Sequence, residues 1–443
     1  MPNSPIDVPL VSPEPRAGRF PARWAPAWVI AFVALWPLPG IAESVLVLGA
    51  VFTALRLLQL RLAGGIRPLL SLPAWALTTV LFFAYWLPQV LSALDAVDPG
   101  RALGKAATGL RYLPFMWLVA IAVTTPARRR TTFIGLATIA GLWALDVLLQ
   151  AVAGGSPLFW SLDQLKHLLS GHGLCAPEEV LAPGRVNGVF GDCNPKMGQV
   201  LASLSPFLLL GVGLRWGRMG WALAALVVGV SVLLAGSRAA WMTYALVLLF
   251  SGWRLLGLRG VMLALLAGVL GMAAVGIGSV QVRERIVATL PALSGKAGDV
   301  DNALAGRTRI WEGALCMVRE HPVNGVGVRG FRQAWPQCDP APGQQAEWGD
   351  GPALHAHQLL LEVLSETGGL GMLLWLVGAA TAWRAWRYAS AGARARAMPA
   401  ALALGVTVFP LNTHLAFYSA FWGSVTLLLA ALYAGSLLAE DDG

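Results

Sequence analysis

Charge is what this 443-residue chain has least of: Asp, Glu, Lys and Arg supply 12% of its residues, against 56% that are apolar. That leaves too little polar surface to cover a soluble globule of this length, and the mean hydropathy of +0.64 agrees. The four cysteines and six histidines show no zinc-site spacing. The glycine-rich run Asn324-Gly325-Val326-Gly327-Val328-Arg329-Gly330-Phe331 lacks the Gly-Lys-Ser/Thr of a P-loop. Residues 1–22 contain six prolines but neither an apolar core nor a small-residue cleavage site, so they read as a disordered cytoplasmic tail and not as a secretory signal. No internal repeat stands out, an absence that weighs lightly against a secondary transporter. The net charge of +9 invites nucleic acid, but most basic residues fall in clusters that orient membrane helices, and nucleic acid is not expected as a partner.

What is present is a succession of apolar runs, mostly of about 17–25 residues, the length of helix that crosses a hydrocarbon core of about 30 Å. They predict an all-α polytopic membrane protein with about twelve transmembrane helices. The expected spans are 24–40, 43–60, 70–92, 112–125 and 131–153 within 23–153; 196–214, 218–235, 238–254 and 260–279 within 196–280; and 358–383, 397–413 and 416–438 within 358–438. Pro37 and Pro39, and Pro410, interrupt the runs where a helix is most easily merged or missed. Two long polar segments, 154–195 and 281–357, separate the three groups, and residues 439–443 form a short cytoplasmic tail.

Lys and Arg gather in cytoplasmic loops, and here they gather in alternate loops. The clusters are Arg56, Arg61 and Arg67; Arg128 to Arg130; Arg215 and Arg218; Arg254 and Arg259; and Arg384, Arg387, Arg394 and Arg396. All five share one side if both termini are cytoplasmic; the acidic end Glu440-Asp441-Asp442 has little say in this. The two long loops, with a shorter one from Asp95 to Arg111, then face the opposite compartment, in a bacterium the periplasm. All four cysteines lie in those loops. An oxidising compartment permits the pairs Cys175–Cys193 and Cys316–Cys338, and four free buried thiols are the alternative.

The second long loop is the feature most in need of a function, because in a chain so poor in charge it gathers basic and imidazole side chains. Residues Arg307 to Arg319 read as a helix with Ile310, Ala314, Leu315 and Val318 on its apolar face, and Arg307 and Trp311 share one side of it. His321-Pro322 ends that helix. His357 opens the next helical pattern, with Leu360, Leu361 and Leu364 facing one way. An imidazole at such a position, part desolvated and part wet, suits a general base; an interfacial histidine bonding a loop carbonyl is the other reading. Along a helix His355 would point about 200° away from His357, so the two are expected to do different work. Arg238 stands at the non-cytoplasmic end of a span with no other cation nearby. A guanidinium there either snorkels to the interface or holds an anion such as a diphosphate. Asn194-Pro195 reads as an N-cap followed by proline at the first helical position, with Lys196 at the positive helix end.

Taken together in this order, these residues resemble the O-antigen ligases and their relatives, the O-antigen polymerases and bacterial protein O-oligosaccharyltransferases. The matching features are the glycine-broken approach to Asn194-Pro195, Ser237-Arg238 opening a helix, Gly306-Arg307 with Trp311, the Pro322 to Phe331 turn, and His357 before a leucine-rich helix ending Glu366-Thr367-Gly368. The likeness runs over about 145–380; the first four helices match only in being apolar. Gln358 stands where asparagine commonly follows the histidine, and Asp192-Cys193 and Lys196 flank Asn194-Pro195 in place of the usual residues.

The resemblance implies a GT-C-like fold and a glycosyltransferase working in the outer leaflet of a bacterial inner membrane without a metal or other cofactor. Its donor would be an undecaprenyl-diphosphate-linked glycan and its acceptor the lipid A-core oligosaccharide of lipopolysaccharide. The two essential arginines and the histidine of the family would be Arg238, Arg307 and His357. Arg309, Lys196, His355 and Asn194 complete the expected substrate-binding set. Fixed guanidiniums would stabilise a leaving diphosphate, His357 would take the proton of the attacking hydroxyl, and direct displacement would invert the anomeric centre. No carboxylate pair stands out, though Asp192, Glu312 or Asp350 could assist. A polymerase or a protein glycosyltransferase would differ only in the acceptor. A transporter or flippase is the rival of another class, and Asp146 is the main ionisable residue in a span centre that would favour it.

Overall fold

The computed structural model describes residues 24–62, 64, 69–175, 185–278, 280–291, 304, 306–346, 348–349, 351–413 and 416–439. Both tails, the middle of each long loop, Arg67, Asp350 and Glu440 to Asp442 therefore lie outside the described residues, as does the side chain of Arg254. Among the described residues all regular structure is helical. In chain order the helices are α1 (Trp24–Ala34), α2 (Pro39–Leu62), α3 (Leu72–Ala93), α4 (Pro99–Gly109), α5 (Tyr112–Ile121), α6 (Pro126–Ala153), α7 (Pro157–Ser170), α8 (Met197–Leu234), α9 (Arg238–Gly278), α10 (Val280–Thr289), α11 (Arg307–Glu320), α12 (Phe331–Cys338), α13 (Leu359–Tyr388), α14 (Ala391–Thr407) and α15 (Ala420–Leu437).

Seven helices among the described residues are long and apolar enough to cross a membrane: α2, α3, α6, α8, the Leu255–Gly278 part of α9, α13 and α15. This count does not confirm the expected twelve, and the reason differs by segment. The runs at 24–40 and 112–125 yield helices of only 11 and 10 residues, and α14 stops at 17. The runs at 196–214 and 218–235 are two arms of α8, broken at Gly217, whose φ of 66° and ψ of −154° no helix contains. A methyl group on Gly213 would lie 3.5 Å from Cβ of Trp221. Eight residues of straight helix would separate them by about 12 Å, so the chain folds back on itself at Gly217. Gly257 divides α9 in the same way, and a methyl on Gly252 would sit 3.2 Å from Val261.

The helix α15 is the axis of the bundle: every residue from Trp422 to Leu437 is buried. A helix apolar all round belongs in such a place. Around it, α6 packs on α8, α8 on α9, α3 on α13 and α14 on α15. Asp146 does not line a transport path. It is buried in α6, where its carboxylate accepts hydrogen bonds from Ser156 Oγ at 2.7 Å and the Leu158 N–H at 3.1 Å, tying down the start of α7.

A second, smaller core gathers Ile310, Ala314, Met317, Phe331, Trp335 and Ala356 between α11, α12 and the turn before α13. The buried face of α11 is thus Ile310, Gly313, Ala314 and Met317, while Leu315, expected there, is 42% exposed. The disulfide Cys316–Cys338 staples α11 to α12, and Cys175–Cys193 closes the first long loop.

Candidate active site

Three approaches of backbone build one cavity of about 820 Å³, lined by residues that are far apart in the chain. The first is the segment 185–196. Its short 3-10 turn, Gly188–Phe190, is held by a Gly188 N–H to Gln150 Oε1 bond of 2.7 Å. Gly188 packs so closely on Asp146 and Met197 that a side chain would not fit. Trp143, Phe190, Trp36 and Phe421 interlock beneath it, with ring centroids 5.5–6.4 Å apart. Asn194-Pro195 does not cap a helix as expected: α8 begins at Met197 after Lys196, which makes no side-chain cap bond. Both Asn194 and Lys196 line the cavity instead, and Lys196 Nζ lies 4.6 Å from the centre of the Phe421 ring.

The second approach is the glycine-rich turn 325–330. It is wedged between α3 and a break in α13 at Gly368, whose φ is 65° and which leaves no room for a Cβ against Val323. The broken helix finds its bonds in the turn: Gly369 N–H to Pro322 O at 2.8 Å, Leu370 N–H to Val323 O at 3.1 Å, and Val326 N–H to Ser365 O at 2.8 Å. Such interruptions of a membrane helix are tolerated where protein satisfies the freed groups. Arg329 follows in a left-handed conformation, φ 63°, with its N–H donated to Glu366 Oε2 at 2.8 Å.

The third is the turn 353–358. The helix α13 begins at Leu359 and is capped by Gln358, whose Oε1 accepts the Leu361 N–H at 2.6 Å and whose Nε2 reaches Pro410 O at 2.9 Å. The glutamine that replaces the usual asparagine is thus the N-cap. His357 lies outside the helix, left-handed at φ 50°. That turn undoes the expected separation of the two histidines: their rings lie against each other, centroids 3.8 Å apart and planes tilted by 41°, and both line the cavity. His355 Nδ1 accepts the His357 N–H at 3.2 Å and lies 3.6 Å from Oε2 of the fully buried Glu362. Trp311 donates its indole N–H to Ala356 O at 3.1 Å, so the helix that carries Arg307 also pins the residue between the histidines.

Of the residues expected to form the site, Asn194, Lys196, Arg238, Arg307, His355 and His357 meet in this cavity. Arg309 does not. Its guanidinium is taken by Asp339 at 2.7 Å, by Ala341 O and by the face of Trp348, and it cannot also serve a ligand in the cavity. Asp192 and Glu312 are exposed and do not line it. Two cations not singled out from the sequence, Arg185 and Arg329, do line it. Arg185 stands at the start of the glycine-broken approach to Asn194-Pro195, and its place in the same segment as Lys196 is the signal that would have found it.

The electrostatics of the cavity are one-sided. Among the described residues no carboxylate pairs with Arg185, Lys196, Arg238 or Arg307. The Nε atoms of Arg185 and Arg238 are buried without a hydrogen-bond partner. Burial, then the neighbouring Arg307 and Arg238, pulls the Arg185 guanidinium below its ordinary value; burial and Arg238 do the same to Arg307. Burial also lowers Lys196. His357 is pushed down to about 2, first by burial and then by His355 and Arg307, and His355 to about 3 by burial, Arg329, Arg307 and Arg332. Both imidazoles are therefore neutral at neutral pH. One trio of potential metal donors occurs among the described residues, Cys316, Glu320 and Cys338, but its two sulfurs are joined as a disulfide.

A cavity of unpaired cations beside two neutral histidines has the charge to attract an anion and the imidazole nitrogens to accept a proton. Residues 223–376 match the family described as O-Antigen ligase, which supports a member of that family. The matched segment contains Arg238, Arg307, Arg329 and both histidines, while Arg185, Asn194 and Lys196 precede it. At family level the match supports glycosyl transfer of the O-antigen ligase or polymerase type. No curated protein gives a significant match to the chain.

Proposed function

We propose that this protein is an O-antigen ligase that moves a glycan from undecaprenyl diphosphate to the lipid A-core oligosaccharide, at the periplasmic face of a bacterial inner membrane and without a metal. The observation that carries the reading is the convergence of four unpaired cations, Arg185, Lys196, Arg238 and Arg307, on the cavity that holds His357. The acceptor hydroxyl oxygen bonds to the anomeric carbon as the bond from that carbon to the diphosphate breaks. The electron pair leaves with the diphosphate, and His357 receives the hydroxyl proton. Arg238 and Arg307 stabilise the charge that grows on the leaving group, and inversion follows from the single displacement.

The low basicity of His357 fits this sequence of events. Burial is the first cause, with His355 and the Arg307 guanidinium behind it, so a diphosphate seated on Arg307 offsets that cation's field and restores part of the imidazole's affinity for a proton. The base is thus stronger when the donor is in place. Lys196 and Asn194 add to the donor site, and His355, through its bond to the His357 N–H, positions the base.

The test is transfer of a labelled glycan from undecaprenyl diphosphate by the purified protein, with lipid A-core, further donor or a pilin-type peptide offered as acceptors and chelator present. Product on lipid A-core alone, lost in His357→Ala and Arg307→Ala, is the expected result. Chain growth on the donor would make the protein a polymerase, peptide glycosylation a protein O-oligosaccharyltransferase. Normal transfer by both variants would remove the catalytic assignment.

A further inference from the structure

None of the residues of α7 is buried. Leu158, Leu162, Leu165 and Leu169 recur at spacings of four, three and four, so they share one edge of the helix, with Leu168 beside them. Of these, Leu162 packs on the core, while Leu168 is 83% and Leu169 73% exposed. Trp160 is exposed too, a residue type enriched where membrane meets water. Gln164 and His167 occupy the opposite edge and are exposed. Asp163 and Lys166 are occupied by the chain that follows: Asp163 Oδ1 accepts the Leu174 N–H, and Lys166 Nζ donates to Gly173 O at 2.8 Å. Among the described residues nothing covers the leucine edge.

Where α7 starts decides what that edge meets. From Phe133 to Ala153 the helix α6 is apolar apart from Asp146, Gln150 and small hydroxyl or glycine residues, about 30 Å of helix and so the thickness of a hydrocarbon core. Its outward stripe, Leu142, Leu145, Leu149 and Val152, stays exposed to the last turn, as a lipid-facing stripe does. The chain then reverses at Gly154, left-handed at φ 77°, and Ser156 and the Leu158 N–H bind Asp146, two turns back along α6. The first turn of α7 is thus held near the level of Asp146, about 10 Å short of the end of α6. A helix beginning at that depth continues the lipid-facing surface of α6, and interfacial helices bury their apolar edge by about 5–10 Å. The other side of α7 reaches the cavity. The Phe159 ring lies over Gly191 so closely that no Cβ would fit there, and the Gly173 and Leu174 bonds fix the approach to Cys175, whose disulfide partner Cys193 lines the cavity.

We propose that α7 is an interfacial helix. Bilayer lipid covers its leucine edge, and through Phe159 and the Cys175–Cys193 disulfide it holds the 185–196 wall of the cavity at the level of the lipid headgroups. That is the level at which a lipid-linked anion carries its charge, and there Arg185 and Lys196 meet it. The placement of α7 rests on the chain spanning a membrane and not on the transfer reaction proposed above.

The experiment is nitroxide scanning of the full chain in phosphatidylcholine nanodiscs. All four cysteines are paired, so a cysteine added at one position and labelled under non-reducing conditions reports that position alone. Power-saturation EPR then compares collisions with oxygen, which concentrates in lipid, and with a water-soluble nickel chelate. Labels at Leu158→Cys, Leu165→Cys and Leu169→Cys should favour oxygen, at a depth of about 5–10 Å, and labels at Gln164→Cys and His167→Cys should favour the chelate. A label at Asp192→Cys, exposed on the cavity segment, should lie level with the lipid phosphates and shift toward the chelate when Leu165→Glu/Leu169→Glu is added. Chelate reaching the leucine positions as freely as Gln164 would put α7 in water. Exclusion of both reagents there would mean that protein covers the edge, a second copy or a partner. Either result overturns the proposal, and an Asp192 label unmoved by the glutamates overturns the anchoring of the cavity wall. Neither readout depends on glycan transfer, so the expected depths in a protein that transfers nothing would uphold the helix and sink the reaction instead.

Discussion

His357 holds a conformation that glycine takes readily and histidine does not, at φ 50°. Strain of this kind is kept only where its surroundings enforce it, here by the His355 ring, the Trp311 bond to Ala356 and the Gln358 cap. His357→Gly should therefore be more stable than His357→Ala by about 1 kcal/mol, while both are inactive. Denaturant unfolding of the two variants side by side measures this, and equal stability would mean that the left-handed turn is not present in the protein. The same pair of imidazoles makes stability depend on pH. Their values in the folded protein, about 3 and about 2, lie below the ordinary 6.5, so the unfolded chain binds protons that the folded chain refuses. Stability is complete above pH of about 6.5 and falls as the pH drops from there toward the folded values. Thermal unfolding of His355→Gln/His357→Gln between pH 7 and pH 4 should show a shallower decline than the wild type.

Helices and loops divide the work between holding the frame and aiming the charges. Arg185 faces two other arginines, so something must hold its loop against their repulsion, and the Cys175–Cys193 disulfide closes that loop 18 residues apart. Cys175→Ser/Cys193→Ser should weaken donor binding by about tenfold, the loss of one charge-assisted contact, with kcat less affected. Cys316→Ser/Cys338→Ser should instead lower stability, by roughly 2–4 kcal/mol on the usual scale for such loops. A donor KM that is the same in the first variant as in the wild type would show that Arg185 is held by other means. Much of this level was legible in the sequence. Helical character and the Arg307 helix could be read from periodicity, and both cysteine pairings, one of two readings left open, from the loops and the compartment expected for them. What could not be read were contacts made by backbone reversal or at long range. The left-handed turn at His357 brings His355 alongside, and Asp339, thirty residues away, removes Arg309 from the site, whereas the reversals at Gly217 and Gly257 fall between runs already read as separate spans.

On the scale of the whole molecule, the cavity takes its lining from the segments that carry the cysteines, Cys193 among the lining residues, while the described arginines of the clusters that orient helices stand at the ends or at the glycine breaks of the long helices. If those clusters face the cytoplasm, the side that basic residues favour, all four cysteines face the periplasm with the proposed active site. This can be checked without adding a single residue. In intact spheroplasts, an impermeant phosphine followed by an impermeant maleimide should label all four thiols, and the same reagents applied to inverted vesicles should label none. The control is detergent-solubilised protein, in which both preparations should reach the same extent of labelling. Labelling confined to the inverted vesicles would turn the molecule over. The cavity would then open to the cytoplasm, where disulfides are reduced, and the segment carrying Arg185 would lose its clamp together with the compartment in which the proposed donor is presented.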